Sequence, residues 1–347
     1  IPELAQDLKD CFQEACALAI KLKVKYLFIV GDLFDHNRPS PDLIDFVAKQ
    51  VRVLNMNGII VAGIAGDHDK PVNNTAWIHL TGVIPINHIQ DCRKFVGFDY
   101  TDNSQENVNK LQTLDYASEV EWIFLHGQTP ELFTFCDDKK RLDFRQIDLL
   151  NLFPRLKGII LGDIHNPVEG TITDPAMKRE EPYIGYCGSL GVVKLPEINN
   201  KTGVLHYDGK KLQRVPFELP RQIIKVYIND LLGPINLVNK YTNFFKDNKG
   251  KKPLFVVEYD KSSKDKLPQL GPLYDVGIVK TIVVNSNSEE EEEVVNIRSE
   301  LKTKDRIETA LRESTEDEVV IKLIQQLIDN PDDFKSVLDN YKKEKLG

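Results

Sequence analysis

Four times in this 347-residue chain an apolar run ends in a short string of Gly, Asp and His. The first run, Lys25-Tyr26-Leu27-Phe28-Ile29-Val30, leads into Gly31-Asp32-Leu33-Phe34-Asp35. The second, Ile59-Ile60-Val61-Ala62-Gly63-Ile64, leads into Ala65-Gly66-Asp67-His68-Asp69. The third, Glu121-Trp122-Ile123-Phe124-Leu125, ends in His126-Gly127-Gln128, and the fourth, Leu156-Lys157-Gly158-Ile159-Ile160-Leu161, in Gly162-Asp163-Ile164-His165. No polar residue alternates within the first run, so it reads as a strand buried on both faces. The second reads as another buried strand, and the other two repeat the pattern of a strand ending in these residues. In open α/β sheets ligands sit at the carboxyl ends of strands. The four ends therefore bring Asp32, Asp67, His68, His126, Asp163 and His165 toward what can be one edge of a sheet. A single His or Asp at a strand end is ordinarily a satisfied or solvated polar group. Four such ends carrying carboxylates and imidazoles are the donor set of a binuclear Mn²⁺, Fe²⁺ or Zn²⁺ centre. Like charges gathered in one cleft repel, and a cation is the natural way to hold them. His36, His79, His88 and His206 lack the strand-end context and read as structural.

Helical patterns alternate with these strands, which makes the fold class α/β. Leu4, Leu8, Cys11, Ala15, Leu18 and Leu22 form an amphipathic stripe. Ser40 can cap a helix whose first turn begins at Pro41. Leu43, Ile44, Val47, Val51 and Leu54 are that helix's apolar stripe, and Asn57-Gly58 closes it. The chain is 41% hydrophobic, which is ample for a large core, and it is too long for most single domains. No apolar run approaches the ~20 residues that span a membrane. Residues from Ile1 show no basic-then-apolar leader pattern. The five cysteines, Cys11, Cys16, Cys92, Cys136 and Cys187, are scattered and include no Cys-x-x-Cys. They read as reduced thiols of an intracellular protein, cytoplasmic or nucleoid/nuclear.

The formal net charge of -8 is uneven. Residues 288–347 hold 17 acidic and 10 basic side chains, while the rest holds 36 acids and 35 bases. The body is nearly neutral, so its charge does not exclude a nucleic-acid face. Beyond Gln222 the pattern changes to a small α+β unit. Its expected strands are Ile223–Ile228, Pro253–Tyr259 and Val276–Val284, with a helix over Ile235–Phe245. Asn285–Glu293, with five consecutive glutamates, reads as a solvated linker. Thr315 then caps a helix with the stripe Val319, Val320, Leu323, Ile324, Leu327 and Ile328. Asn330-Pro331 breaks it, and Phe334, Val337, Leu338 and Tyr341 form the next stripe. Two short amphipathic helices bury little alone, so they call for a partner surface.

The ordered set of the four strand ends resembles the calcineurin-like metallophosphoesterases. Gly188-Ser189-Leu190-Gly191, Lys201-Thr202-Gly203-Val204 and Asn37-Arg38-Pro39-Ser40-Pro41 narrow the resemblance to the SbcD-type nuclease subunits of DNA double-strand-break repair complexes. It covers most of the chain. It implies a two-sheet metallophosphoesterase sandwich over 1–219, a small α+β capping domain over 220–287, the acidic linker 288–293 and a helical segment 294–347. It implies two divalent metal ions, Mn²⁺ or else Mg²⁺, held by Asp32, Asp67, His126, Asp163 and His165, with Asp32 bridging both. His68 matches a residue that is not a ligand but assists the transition state or protonates the leaving group. Arg38, Lys70 and Lys194 are the candidate DNA contacts. Val319, Leu323, Leu327, Phe334 and Leu338 are the candidate contacts to an SMC-like, ABC-type ATPase. A homodimer through the Pro41–Met56 helix is also implied.

The chain departs from the family pattern in three places. No Asp-x-His lies upstream of Asp32, which leads us to expect that the natural start is omitted rather than that one metal site is crippled. Asp67 stands where the family has Asn, and Asp163 where it has His. Carboxylates remain competent ligands for hard ions. The function expected is metal-dependent cleavage of DNA, exo- or endonucleolytic, in an ATPase-coupled repair complex. The alternatives are a phosphoesterase on another phosphoester, and a catalytically weakened scaffold that recruits the ATPase.

Overall fold

The computed structural model describes residues 2–35, 38–69, 76–89, 93–133, 135–144, 149–172, 181–194, 197–228, 251–270, 273–274 and 277–283. Lys70, the expected helix over Ile235–Phe245, the acidic linker and the C-terminal helices lie outside them. The chain divides into two compact units, residues 1–220 and 221–347.

The first unit opens with helix α1 (Pro2–Lys21), strand β1 (Tyr26–Val30), helix α2 (Pro41–Met56) and strand β2 (Ile60–Ile64). The hydroxyl of Ser40 caps α2 by accepting the Leu43 N–H at 3.3 Å, with Pro41 in the first turn where no N–H is required. β1 pairs parallel with β2, and β2 with the short β3 (Ile84–Pro85). A second sheet follows from β4 (Phe95–Gly97), β5 (Trp122–His126), β6 (Gly158–Gly162), β7 (Val168–Thr171) and β8 (Tyr183–Tyr186). Its order is β4-β5-β6-β8-β7, all parallel except the edge strand β7. An antiparallel ribbon, β9 (Gly203–Tyr207) with β10 (Leu212–Pro216), completes the unit.

The unbroken apolar runs are explained by burial on both strand faces. Alternate residues Val30, Ala62, Ile64, Trp122, Phe124 and Ile160 point into the layer between the two sheets. There the Phe28 ring stacks on Phe124 at 4.6 Å between centroids. The intervening residues face outward: Val61 packs under α1 and α2 on Cys16, Ala19, Val47 and Leu54. On the other side Ile123, Leu125, Ile159 and Leu161 pack with Val108, Leu111 and Phe153. Burying each such side chain contributes about 1.5–3 kcal/mol. The unit is thus a two-sheet α/β sandwich. Its period of two also fixes the last residue of β5: His126 falls on the same face as Trp122 and Phe124, the face that meets the first sheet.

The second unit carries three parallel strands, β11 (Ile223–Tyr227), β12 (Leu254–Tyr259) and β13 (Ile278–Val283), in that order. Phe255, Val257, Leu270, Leu273 and Val279 form its core.

Candidate metal centre

The strand register aligns the carboxyl ends. Val30 of β1 lies opposite Ile64 of β2, and His126 of β5 opposite Gly162 of β6. Asp32, Asp67 and Asp163 follow those ends directly. Across the sandwich, His126 Nδ1 donates to the Val30 carbonyl oxygen at 3.2 Å, which ties the two sheets together at this edge. The same bond leaves His126 Nε2 directed at the carboxylates, 3.1 Å from Asp67 Oδ1, 3.4 Å from Asp32 Oδ2 and 3.9 Å from Asp163 Oδ1.

Two glycines permit this crowding. A Cβ on Gly66 would lie 2.1 Å from Asp32 Oδ1, and one on Gly162 would lie 1.9 Å from the Val30 carbonyl oxygen. The recurrent Gly before Asp is therefore a requirement for close approach. The aspartates also hold unusual backbone. Among the described residues three non-glycines have positive φ, and two of them are Asp32 at 49° and Asp163 at 97°. Such conformations cost about 1–3 kcal/mol each and gather at functional sites. Fully buried Asp69 braces the turns by accepting the N–H groups of Leu33, Phe34 and Gly66. Burial and the nearby charge of Asp32 push its pKa up in spite of those three donors.

Asp67, His126 and Asp163 offer ligand atoms within 4.8 Å of one another, and so do Asp32, Asp67 and His68. Three carboxylates and an imidazole are donor types that fit a hard divalent cation. Without such an ion, the imidazole itself carries the balancing positive charge. Burial opposes charge on His126, but hydrogen bonds to Asp32 and Asp67 outweigh it and raise its pKa to about 10. Burial alone would raise Asp67 and Asp32, yet hydrogen bonds to His126 hold both below the ordinary carboxylate value.

His68 lies at the exposed mouth of the same open cleft, which has a volume of about 370 Å³. Its backbone N–H donates to Asp32 Oδ1 at 3.0 Å, and its Nδ1 donates to the Asp35 carbonyl at 2.9 Å. Nε2 is left for a substrate. His165 also lines the cleft, but it stands outside the two donor groups found among the described residues. Its Nδ1 is held at 2.7 Å by Glu197 Oε1. Lys194 lines the cleft and donates its backbone N–H to Glu197 Oε2. Arg38 is exposed and is not part of the cleft lining.

Sequence reasoning missed Glu197 and Lys140. The Lys140 ammonium pairs with Asp67 Oδ2 at 2.9 Å and, more closely, with Asp163 Oδ1. Gln128 Nε2 donates to the other Asp163 oxygen at 2.7 Å. Asp67 and Asp163 are the two positions at which the strand-end motifs depart from the resembled pattern. Two surplus carboxylates beside one another were the available signal that a cation had to be near.

A family model described as calcineurin-like phosphoesterase matches residues 2–200. Three curated relatives carry the name DNA double-strand break repair protein Mre11. The one from Thermoplasma acidophilum is 36% identical over 74 residues, 21% of this chain and 20% of that protein. The one from Sulfurisphaera tokodaii is 42% identical over 72 residues, 20% of this chain and 18% of that protein. The one from Haloferax volcanii is 25% identical over 197 residues, 54% of this chain and 41% of that protein. The chain thus matches less than half the length of each of these relatives.

Proposed function

This chain belongs to the calcineurin-like phosphoesterase family, and on that premise we propose that it is a metal-dependent DNA nuclease of double-strand-break repair. The observation that carries the reading is the convergence of Asp32, Asp67, His126 and Asp163 at the edge of an open cleft. Asp32 and Asp67 would hold the cation, and His126 and Asp163 complete the charged cluster around it. Bound there, a divalent ion, Mn²⁺ or Mg²⁺, supplies Lewis acidity toward a phosphate oxygen and activates water.

The chain's own residues do the rest. The backbone bond from His68 to Asp32 fixes the imidazole beside the carboxylate cluster. With Nδ1–H committed to the Asp35 carbonyl, the imidazolium form of His68 gives its Nε2 proton to the departing 3′-oxygen as the new oxygen–phosphorus bond forms and the old one breaks, and is left as neutral imidazole. Lys194 meets phosphate at the cleft wall, and exposed Arg38 meets it farther along the strand. Glu197 orients His165, the candidate ligand of a second ion.

In purified form the chain is expected to cleave linear DNA in Mn²⁺, and Asp32→Asn to lose at least 100-fold in rate, the order removed with a principal electrostatic group. Unchanged cleavage in that variant overturns the assignment, and a screen of small phosphoesters decides the substrate class. One observation favours a second reading, a weakened scaffold: Lys140 already neutralises two of the four candidate ligands.

A further inference from the structure

Lys140 is not a surface lysine that happens to reach the site. The segment carrying it is stitched to the end of β5. Gln128 N–H donates to the Lys140 carbonyl at 2.7 Å, and Leu142 N–H to the Gln128 carbonyl at 2.7 Å. A Cβ on Gly127 would lie 2.4 Å from that same Lys140 carbonyl. The Gln128 side chain accepts the Asp137 N–H at 3.0 Å while it donates to Asp163. The lysine backbone is thus built into the wall of the centre.

Its ammonium then meets Asp67 and Asp163, whose side chains are 19% and 4% exposed. Gln128 and Lys140 between them use both Asp163 oxygens. His126 and Lys140 between them use both Asp67 oxygens. A metal ion seated among Asp67, His126 and Asp163 needs oxygen lone pairs that the ammonium already engages. Two cations cannot share them at contact distance without strong mutual repulsion.

We propose that Lys140 is a resident organic cation that takes the place of a metal ion at the Asp67–His126–Asp163 half of the centre. This rests on the reading of the cluster as a cation site and concerns which cation fills it. The site keeps the charge balance that holds three aspartates together, and no metal has to be loaded to hold them.

The test uses the full chain and Mn²⁺ alone. Bound Mn²⁺ per chain is measured at saturation, by elemental analysis after desalting and by the electron paramagnetic resonance of bound against free ion. Lys140→Gln is expected to bind one more Mn²⁺ per chain than the natural sequence, and Lys140→Arg, which keeps the charge, no more. Metal-free thermal melting gives a second readout. Lys140→Gln is expected to melt lower than the natural sequence without metal and to recover on adding Mn²⁺. Equal Mn²⁺ stoichiometry in the natural chain and Lys140→Gln overturns the proposal, whatever either does to DNA. Loss of DNA cleavage with the stoichiometry difference intact bears instead on the nuclease reading.

Discussion

His79 and Asp99 form a second buried-edge pair, with Nε2 3.4 Å from either carboxylate oxygen. Burial lowers the affinity of His79 for its proton, but the Asp99 contact outweighs it, and the pKa is raised above 6.5. Asp99 is shifted down from 3.8, its burial outweighed by the bonds from His79 and Ala65. The signs follow. The His79 contribution is full below pH 6.5 and is lost as pH rises through its raised value. The Asp99 contribution is full above pH 3.8 and is lost on acidification. Asp99→Asn keeps an oxygen for the Ala65 N–H but no charge. It is expected to flatten the decline of melting temperature above pH 6.5, an effect below about 1 kcal/mol because Asp99 is half exposed. At this scale the sequence was informative wherever a residue followed an apolar run. Asp32, Asp67, His126 and Asp163 were legible for that reason. Lys140 sits in Asp137-Asp138-Lys139-Lys140-Arg141, which reads as solvated charge, and only the third dimension brings it to Asp163. Glu197 is likewise far in sequence from the His165 that it holds.

The elements follow from pattern and punctuation. The α2 cap was written in Ser40-Pro41, and the strands β1, β2, β5 and β6 in runs with no polar alternation. Their role as close-packed ends was written less plainly, since a Gly before an Asp looks like an ordinary strand stop. Gly162 shows the difference. A methyl group there would meet a backbone carbonyl, which cannot swing aside, and would lie 2.6 Å from His126 Nδ1. Gly162→Ala is expected to destabilise the first unit by about 1–3 kcal/mol through overpacking. It is also expected to weaken Mn²⁺ binding, because His126 is pushed from the Val30 carbonyl. Denaturant unfolding and Mn²⁺ titration check the two effects. The spatial order β4-β5-β6-β8-β7 was not legible. A hydrophobic run states that a strand is buried and not which neighbour it takes, and β7, half-buried and polar, carries little signal of its own.

For the whole molecule the α/β class was foreseeable from strands that alternate with helices, whereas the two-sheet sandwich came from the family resemblance and not from the pattern itself. The resemblance leads us to expect that Val319, Leu323, Leu327, Phe334 and Leu338 contact an SMC-like ATPase. Deleting 294–347 is expected to abolish co-purification with such an ATPase and to leave Mn²⁺ binding intact, and retained co-purification would place the interface elsewhere. Val53 and Met56 are exposed on α2, the helix through which the resemblance implies a homodimer. The first sheet brings Asp32 and Asp67 to the centre, and the second brings His126 and Asp163. Neither sheet alone can assemble it, and the contacts that complete it join residues 59 and 96 positions apart, so loop-closure entropy places them late in folding. Loosening either sheet dissolves the whole centre. An ion that binds only the closed sandwich therefore stabilises both sheets at once by mass action, and its affinity measures how firmly the two halves of the domain are shut.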